Sequence, residues 1–366
     1  MRLFRRRMVF SLTTSVEQKV IRLINHACAL HATDIHIIPK SEHTSILFRI
    51  SYRLIPFKTI SKEEAGRLIS YLKFKADMDI GERRKPQNGS FQMKLGQAIV
   101  GLRLSTLPSL YSESLVIRIL PRGPEFPPQR LSLFPRATKK LLSAMTFSHG
   151  LIILTGPTGS GKTTTLYSLL QYSRKSLGRN VITLEDPIEK SSDDLLQVQV
   201  NEKAGITYSS GLKAILRHDP DVIMIGEIRD GETARTTIRA SLSGHLVLTT
   251  MHTKDAKGAI YRLLEFGVKF HEIEQSLIAV TAQRLVELVC PFCQGECPVY
   301  CDKRRNGRTS VFEILFGNSL KQTLLSIQGK NVTVKYETLA KNIAKGVALG
   351  FIKEKEFERW VHDFDA

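Results

Sequence analysis

Eight consecutive residues constrain this chain more than any others: Gly156-Pro157-Thr158-Gly159-Ser160-Gly161-Lys162-Thr163, placed directly after the apolar run Leu151-Ile152-Ile153-Leu154-Thr155. Glycines at these spacings let the backbone fold tightly enough for successive N–H groups to converge on phosphate oxygens. Lys162 adds a charge that reaches the β and γ phosphates of ATP, and the Thr163 hydroxyl can ligate Mg²⁺. A helix opening near Thr163 would aim its N-terminal partial charge, roughly +0.5, at the same point. A glycine-rich turn without a ligand needs neither a buried strand before it nor a helix after it. The order strand, loop, helix therefore predicts a nucleotide site in which Gly156, Pro157, Thr158, Gly159, Ser160, Gly161, Lys162, Thr163 and Thr164 surround the phosphates.

The texture around the loop sets the fold class. Val181–Leu184, Asp221–Ile225 and His245–Thr250 repeat the continuous apolar run, with helix-length segments between them. Strands buried on both faces and alternating with helices predict a doubly wound α/β core. The chain of 366 residues is long enough for two domains. A break at Pro121-Arg122-Gly123-Pro124-Glu125-Phe126-Pro127-Pro128 separates them, because these prolines fit neither a helix interior nor a central strand. The expected division is an N-terminal α/β domain over 1–120, a Pro-rich linker over 121–135 and the nucleotide-binding domain over 136–366. In the first, near-helical spacing predicts a helix from Val16 towards His31, and another spans about Lys62 to Ala76. Alternation predicts strands at Ile35–Ile38, Ile46–Ile50, Ile99–Leu104 and Leu115–Leu120. At the far end Val311–Phe316, Leu320–Ser326 and Val332–Ala348 are expected as helices beyond a cysteine loop at 290–308.

Further candidates for chemistry sit at strand ends. Asp221-Val222-Ile223-Met224-Ile225-Gly226-Glu227 delivers a carboxylate at the end of a strand where open α/β sheets bind ligands, so Glu227 is the expected Mg²⁺ partner. Leu184-Glu185-Asp186-Pro187-Ile188-Glu189 offers Glu185 and Glu189, one of which would orient or deprotonate the attacking water while the other caps or faces solvent. His245 and His252 flank the next strand and are candidate sensors of the γ phosphate.

Together these residues resemble one family, the type II secretion and type IV pilus assembly ATPases. Leu216-Arg217-His218-Asp219-Pro220-Asp221 through Gly226-Glu227-Ile228-Arg229-Asp230 looks like its Walker B signature throughout. Glu185–Glu189 resembles its Asp box, and Gly244-His245 through His252-Thr253 its His box. The earlier segments His31-Ala32-Thr33-Asp34-Ile35-His36, Glu82 through Gly89 and Arg103 through Pro108 are also similar to family motifs. The resemblance implies a PAS-like N-terminal domain followed by a RecA-like motor, assembled as a homo-hexameric ring. It implies arginines of the first domain at the γ phosphate, carried over here as Arg103 and, second, Arg118. Where many members place an arginine after the Gln-Asp-Gly segment, Gln87-Asn88-Gly89 is followed by Ser90, so one such cation is absent. The resemblance is nearest to the competence pseudopilus branch. It implies a motor that drives pseudopilins out of the membrane through a polytopic inner-membrane platform protein, in support of DNA uptake. A retraction motor, a DNA translocase and a scaffold without turnover stand as alternatives.

The remaining features bound the setting. A net charge of +18 favours an anionic partner without choosing among nucleic acid, membrane surface and acidic protein. Direct binding of nucleic acid is not expected. Arg2, Arg5, Arg6 and Arg7 open the chain like a signal peptide, but Glu17, Gln18 and Lys19 interrupt any apolar core. A cytoplasmic protein, peripherally associated with the membrane, is expected. Cys28 falls on the first helix and is expected as core filler. Cys290, Cys293, Cys297 and Cys301 have the ligand chemistry of a structural Zn²⁺ site, although metal-free thiols in a short loop would read the same way.

Overall fold

The computed structural model describes residues 15–50, 53–96, 98–120, 126–293 and 307–361. The chain divides into two compact units, Met1–Arg122 and Gly123–Ala366. Residues 121–125, part of the expected linker, lie outside the described residues.

The first unit begins with α1 (Val16–Ala29), whose open N–H groups are capped by the Ser15 hydroxyl accepting from Gln18. Then follow β1 (Asp34–Pro39), β2 (Thr44–Ile50), β3 (Arg53–Ile60), α2 (Lys62–Lys75), β4 (Gln87–Leu95), β5 (Ala98–Pro108) and β6 (Glu113–Leu120). The six strands form one sheet in the order β3-β2-β1-β6-β5-β4, every pairing antiparallel. Alternation sorts the two faces. Ile46, Phe48 and Ile50 of β2 join Leu115, Ile117 and Ile119 of β6 in a core completed by Val20, Ile24, Leu68 and Leu72 of the two helices. Cys28 is partly buried against that core, and burial raises its thiol pKa. The strands β3 and β4 were not expected. Both are edges with mostly exposed or half-exposed side chains; apolar alternation in β4 is confined to Phe91, Met93 and Leu95, and Pro56 is tolerated at an edge.

The second unit runs α3 (Pro135–Ala144), β7 (Gly150–Thr155), α4 (Lys162–Leu177), β8 (Val181–Glu185), β9 (Leu196–Gln199), α5 (Tyr208–Ile215), β10 (Val222–Ile225), α6 (Gly231–Leu242), β11 (Leu246–Met251), α7 (Ala256–Glu265), α8 (Phe270–Ser276), β12 (Leu277–Glu287), β13 (Arg308–Phe316), α9 (Asn318–Ile327), α10 (Leu339–Ala348) and α11 (Lys355–Val361). Its seven strands lie in the order β13-β12-β7-β11-β10-β8-β9, parallel except where β13 pairs antiparallel with β12. Every residue of β7, β8, β10 and β11 is buried. Successive side chains enter opposite cores: Leu151, Ile153, Ile223 and Val247 on one face, Ile152, Leu154, Met224 and Leu248 on the other. Among the described residues no helix is long and apolar enough to cross a membrane.

Three expectations are corrected at the C-terminal end. Val311–Phe316 belongs to strand β13, not a helix, because nine successive residues pair with β12. Residues 332–338 are not helical, and α10 starts only after Thr338, whose hydroxyl caps it. The strand β12 was missed because it buries Thr281, Gln283 and Arg284 among its apolar residues and so shows no continuous run.

A buried ion pair joins α2 to β6. Lys73 Nζ, fully buried, donates to Glu113 Oε2 at 3.0 Å and to the Glu82 carbonyl at 2.7 Å. Lys73→Met should therefore destabilise the protein by about 3–5 kcal/mol in urea unfolding, since it strands a buried carboxylate. Lys73→Met with Glu113→Leu should recover most of that loss.

Candidate nucleotide site

The phosphate loop leaves β7 at Thr155 and enters α4 at Lys162, as the apolar run and the glycines require. Gly156 and Gly161 have φ of 149° and 89°, in the region that disfavours side chains. A Cβ on Gly156 would also lie 2.6 Å from the Gln283 carbonyl, and one on Gly161 2.8 Å from Gln283 Nε2. The loop thus rests on β12 at Gly156 and Gly161, with no space for a side chain at either. Lys162 is buried and donates to the carbonyls of Gly156 at 2.7 Å and Pro157 at 3.1 Å. Burial lowers its pKa to about 8, against the pull of Glu227 and Glu189. Ser160 Oγ is buried with no hydrogen-bond partner among the described residues. A glycine-lined cradle, an unpaired hydroxyl and a buried ammonium fit a nucleotide phosphate chain. Thr163, in the first turn of α4, and Glu227 carry side-chain oxygens of the kind Mg²⁺ prefers.

Several groups converge beside Lys162. Glu227, just past β10, pairs with Arg229 and lies 3.5 Å from His252 Nε2. Arg229 is 3.9 Å from Asp186. Glu189, exposed, acts on Lys162 through its charge. His252 arrives because the loop after β11 is stitched to β7: Thr253 N–H donates to Thr155 Oγ1 at 2.8 Å, and the two hydroxyls lie 2.7 Å apart. Partial burial, then the Lys162 charge, hold the His252 pKa below the usual histidine range. His245 is not brought to this group. Its carbonyl accepts from Gly150 at the start of β7, so the length of β11 separates it from the loop.

Glu185 ends β8 but its carboxylate is buried in a hydrogen-bond network. It accepts from Tyr167 Oη at 2.8 and 2.9 Å, Thr183 Oγ1 at 2.8 Å and Gln197 Nε2 at 3.2 Å. Burial pushes its pKa up, opposed by these donors. Beneath the loop, Arg284 donates to the Gln283 carbonyl at 3.0 Å and the Lys254 carbonyl at 2.6 Å, and faces the Trp360 ring at 5.2 Å. Tyr167, Gln197, Gln283 and Arg284 were not singled out in the sequence, which marks none of them by spacing.

In the first unit, the sheet register puts Ser90, Arg103, Arg118, Asp34 and Arg49 in one rung across β4, β5, β6, β1 and β2. Arg118 Nε contacts Asp34 Oδ1 at 3.0 Å, and Arg49 Nε lies 3.7 Å from Oδ2. Arg103 and Arg118 are both exposed. Of the four clustered cysteines, Cys290 is buried and Cys293 exposed, while Cys297 and Cys301 lie outside the described residues. Among the described residues no group of three or more His, Cys, Asp and Glu side chains is placed to hold a metal ion.

A largely parallel sheet with a phosphate loop leaving β7 and an acidic strand end two strands away defines a P-loop ATPase with a RecA-like fold. Residues 12–359 match the family described as Type II/IV secretion system protein, and the chain belongs to that family. It is 55% identical over 350 residues to "Competence protein ComGA" of Bacillus subtilis (strain 168), covering 95% of this chain and 98% of that one. It is 43% identical over 288 residues to "Type II secretion system protein E" of Klebsiella pneumoniae, covering 77% of this chain but 58% of that longer protein. Among solved structures, the ATPase DotB of Legionella pneumophila shares the fold at a TM-score of 0.75 and 22% identity, covering 97% of this chain and 98% of DotB. The pilus retraction motor PilT, solved with bound ADP, aligns at a TM-score of 0.68 and 25% identity, covering 93% and 96%.

The lowered Lys162 pKa gives a pH signature. Phosphate favours the charged amine, so nucleotide binding raises this pKa; above about pH 8 the free protein must take up a proton to bind. Calorimetry in buffers of different ionisation enthalpy should show negligible uptake near about pH 7 and nearly one proton by about pH 9, with affinity falling over that interval.

Proposed function

We propose that this chain is the ATP-hydrolysing motor that drives assembly of a competence pseudopilus for DNA uptake. The single observation that carries the reading is 55% identity to ComGA along almost the whole of both chains, joined to a complete phosphate loop. The retraction alternative draws on the fold likeness to PilT alone. A translocase acting directly on DNA draws only on the charge of +18, and would require DNA-stimulated turnover that falls steeply with salt.

In this reading Gly156 to Thr164 wrap the phosphates, and Lys162 exchanges two loop carbonyls for phosphate oxygens. Thr163 and Glu227 would hold Mg²⁺, which would supply neutralisation of phosphate charge. Glu189 orients or deprotonates the attacking water, supported by its electrostatic proximity to Lys162 and its exposed side chain. His252, neutral at pH 7 and beside Glu227, reports on the terminal phosphate. Arg103 and Arg118 are the stabilising cations brought by a PAS-like first domain, 1–120, hinged by 121–135 onto the RecA-like domain, 136–366. The working form is a homo-hexameric ring at the cytoplasmic face of the membrane, acting through a polytopic platform protein on pseudopilins. The four cysteines hold a structural Zn²⁺ in this reading, supported by the ligand type and the buried Cys290.

The test is turnover in the purified protein and function in cells. Lys162→Ala should abolish ATP-dependent phosphate release, and Glu189→Gln should lower kcat by about 10²–10⁴-fold with little change in KM. Cells carrying either variant should lack pseudopili and DNA uptake. Equal phosphate release from wild type and Lys162→Ala would end the enzyme reading, and pseudopili that lengthen without the motor would favour retraction.

A further inference from the structure

Glu185 and Glu189 stand four apart in one acidic motif, yet they occupy opposite environments. Glu189 is exposed. Glu185 is 3% exposed and receives three side-chain donors: the hydroxyls of Tyr167 and Thr183 and the amide of Gln197. Its partners are protein groups, so the buried carboxylate is bonded within the fold rather than to solvent.

The same network continues along the segment after Glu189. Tyr167 Oη accepts from Gln197 Nε2 at 2.8 Å. Gln197 Nε2 donates to the Lys190 carbonyl at 3.0 Å, and Gln197 Oε1 accepts from Ser192 N–H at 2.7 Å. Gln171 Nε2 reaches the Ser192 hydroxyl at 2.9 Å. Tyr167 and Gln171 are one turn apart on α4, the helix whose first residue is Lys162. The helix that ends the phosphate loop therefore grips the segment bearing Glu189 through one buried carboxylate and two polar side chains.

We propose that Glu185 is a positioning residue: with Tyr167 and Gln197 it pins the backbone of Lys190, the neighbour of Glu189, to the phosphate-loop helix, fixing where the Glu189 carboxylate meets the attacking water. The proposal rests on the assignment of Glu189 above. It divides the roles of the two glutamates, one bonding only protein groups and the other facing the reaction.

Glu185→Gln removes the charge on which these donors converge and replaces one acceptor oxygen by an NH₂ donor, and so weakens the pin while conserving shape. In the full chain, kcat should fall by about 10- to 100-fold, with KM for ATP and affinity for a fluorescent ADP analogue nearly unchanged. The acid limb of the kcat profile against pH should persist in Glu185→Gln and vanish from the residual rate of Glu189→Gln. Tyr167→Phe, which removes a hydroxyl and leaves both glutamates, should lower kcat in the same sense. Its effect should add little to that of Glu185→Gln. Wild-type kcat in both variants would overturn the proposal. So would a Glu185→Gln protein as inactive as Glu189→Gln and lacking the acid limb, which would make Glu185 the base. Should Glu185→Gln fail to fold, Tyr167→Phe decides alone. Undiminished turnover in Glu189→Gln would instead overturn the parent assignment, whatever Glu185→Gln does.

Discussion

Everything at the nucleotide site rests on the close approach of the phosphate loop to β12. Gly156 and Gly161 touch Gln283 where any side chain would collide. That contact explains why a central strand buries a glutamine and an arginine, at a desolvation cost that an apolar pair would avoid. Gln283 Nε2 donates on its other side to Ser310 Oγ of β13 at 2.8 Å, and Arg284 reaches the carbonyl of Lys254 beyond β11. The floor of the loop is thereby tied to both flanks of the sheet. Lys162, lifted over this floor, is held by two carbonyls rather than by a carboxylate, so its charge faces the cradle.

How much of this was legible in the sequence follows from where each residue's constraint originates. The loop and the strands β7, β8, β10 and β11 were readable because a strand buried on both faces must be apolar throughout. Glu227 was readable because a lone carboxylate ending such a strand has few other uses. The strand β13 was not: Val311-Phe312-Glu313-Ile314-Leu315-Phe316 is apolar enough for a helix or a strand, and only nine rungs of pairing with β12 decide. The different fates of His245 and His252 were equally hidden. Both flank one strand, and only the parallel register with β7 puts one at the loop and the other at the far end.

The first unit shows a comparable economy in charge. Arg103, Arg118 and Arg49 share a rung with a single carboxylate, Asp34, itself 5% exposed. Ser90 occupies the next position of that rung, on β4. An arginine there would add a fourth guanidinium to a row with one negative charge, and like charges directly opposite destabilise a sheet. Serine at this position removes a cation and with it that repulsion, leaving Asp34 to orient Arg118 and Arg49.

Four glutamates of the second unit, two in strands and two in the loops that follow strands, look alike in sequence, but they divide by what they bond. Glu185 accepts from Tyr167, Thr183 and Gln197, and Glu313 accepts the N–H groups of Ala256 and Leu339 at 3.0 Å each, capping α7 and α10 from one strand. Burial pushes both carboxyls up in pKa, while their donors favour the charged form. Such groups fix loops, because releasing the loop would leave a buried charge without partners. Glu227 instead pairs with Arg229, a cation a phosphate chain can compete for, and Glu189 is exposed and feels Lys162 only through its charge. A carboxylate whose partners are neutral donors inside the fold is committed to structure, whereas one that is exposed or paired with a side-chain cation remains available to a ligand. That difference in partner separates scaffold from reagent at this site, and no property of glutamate itself reveals it.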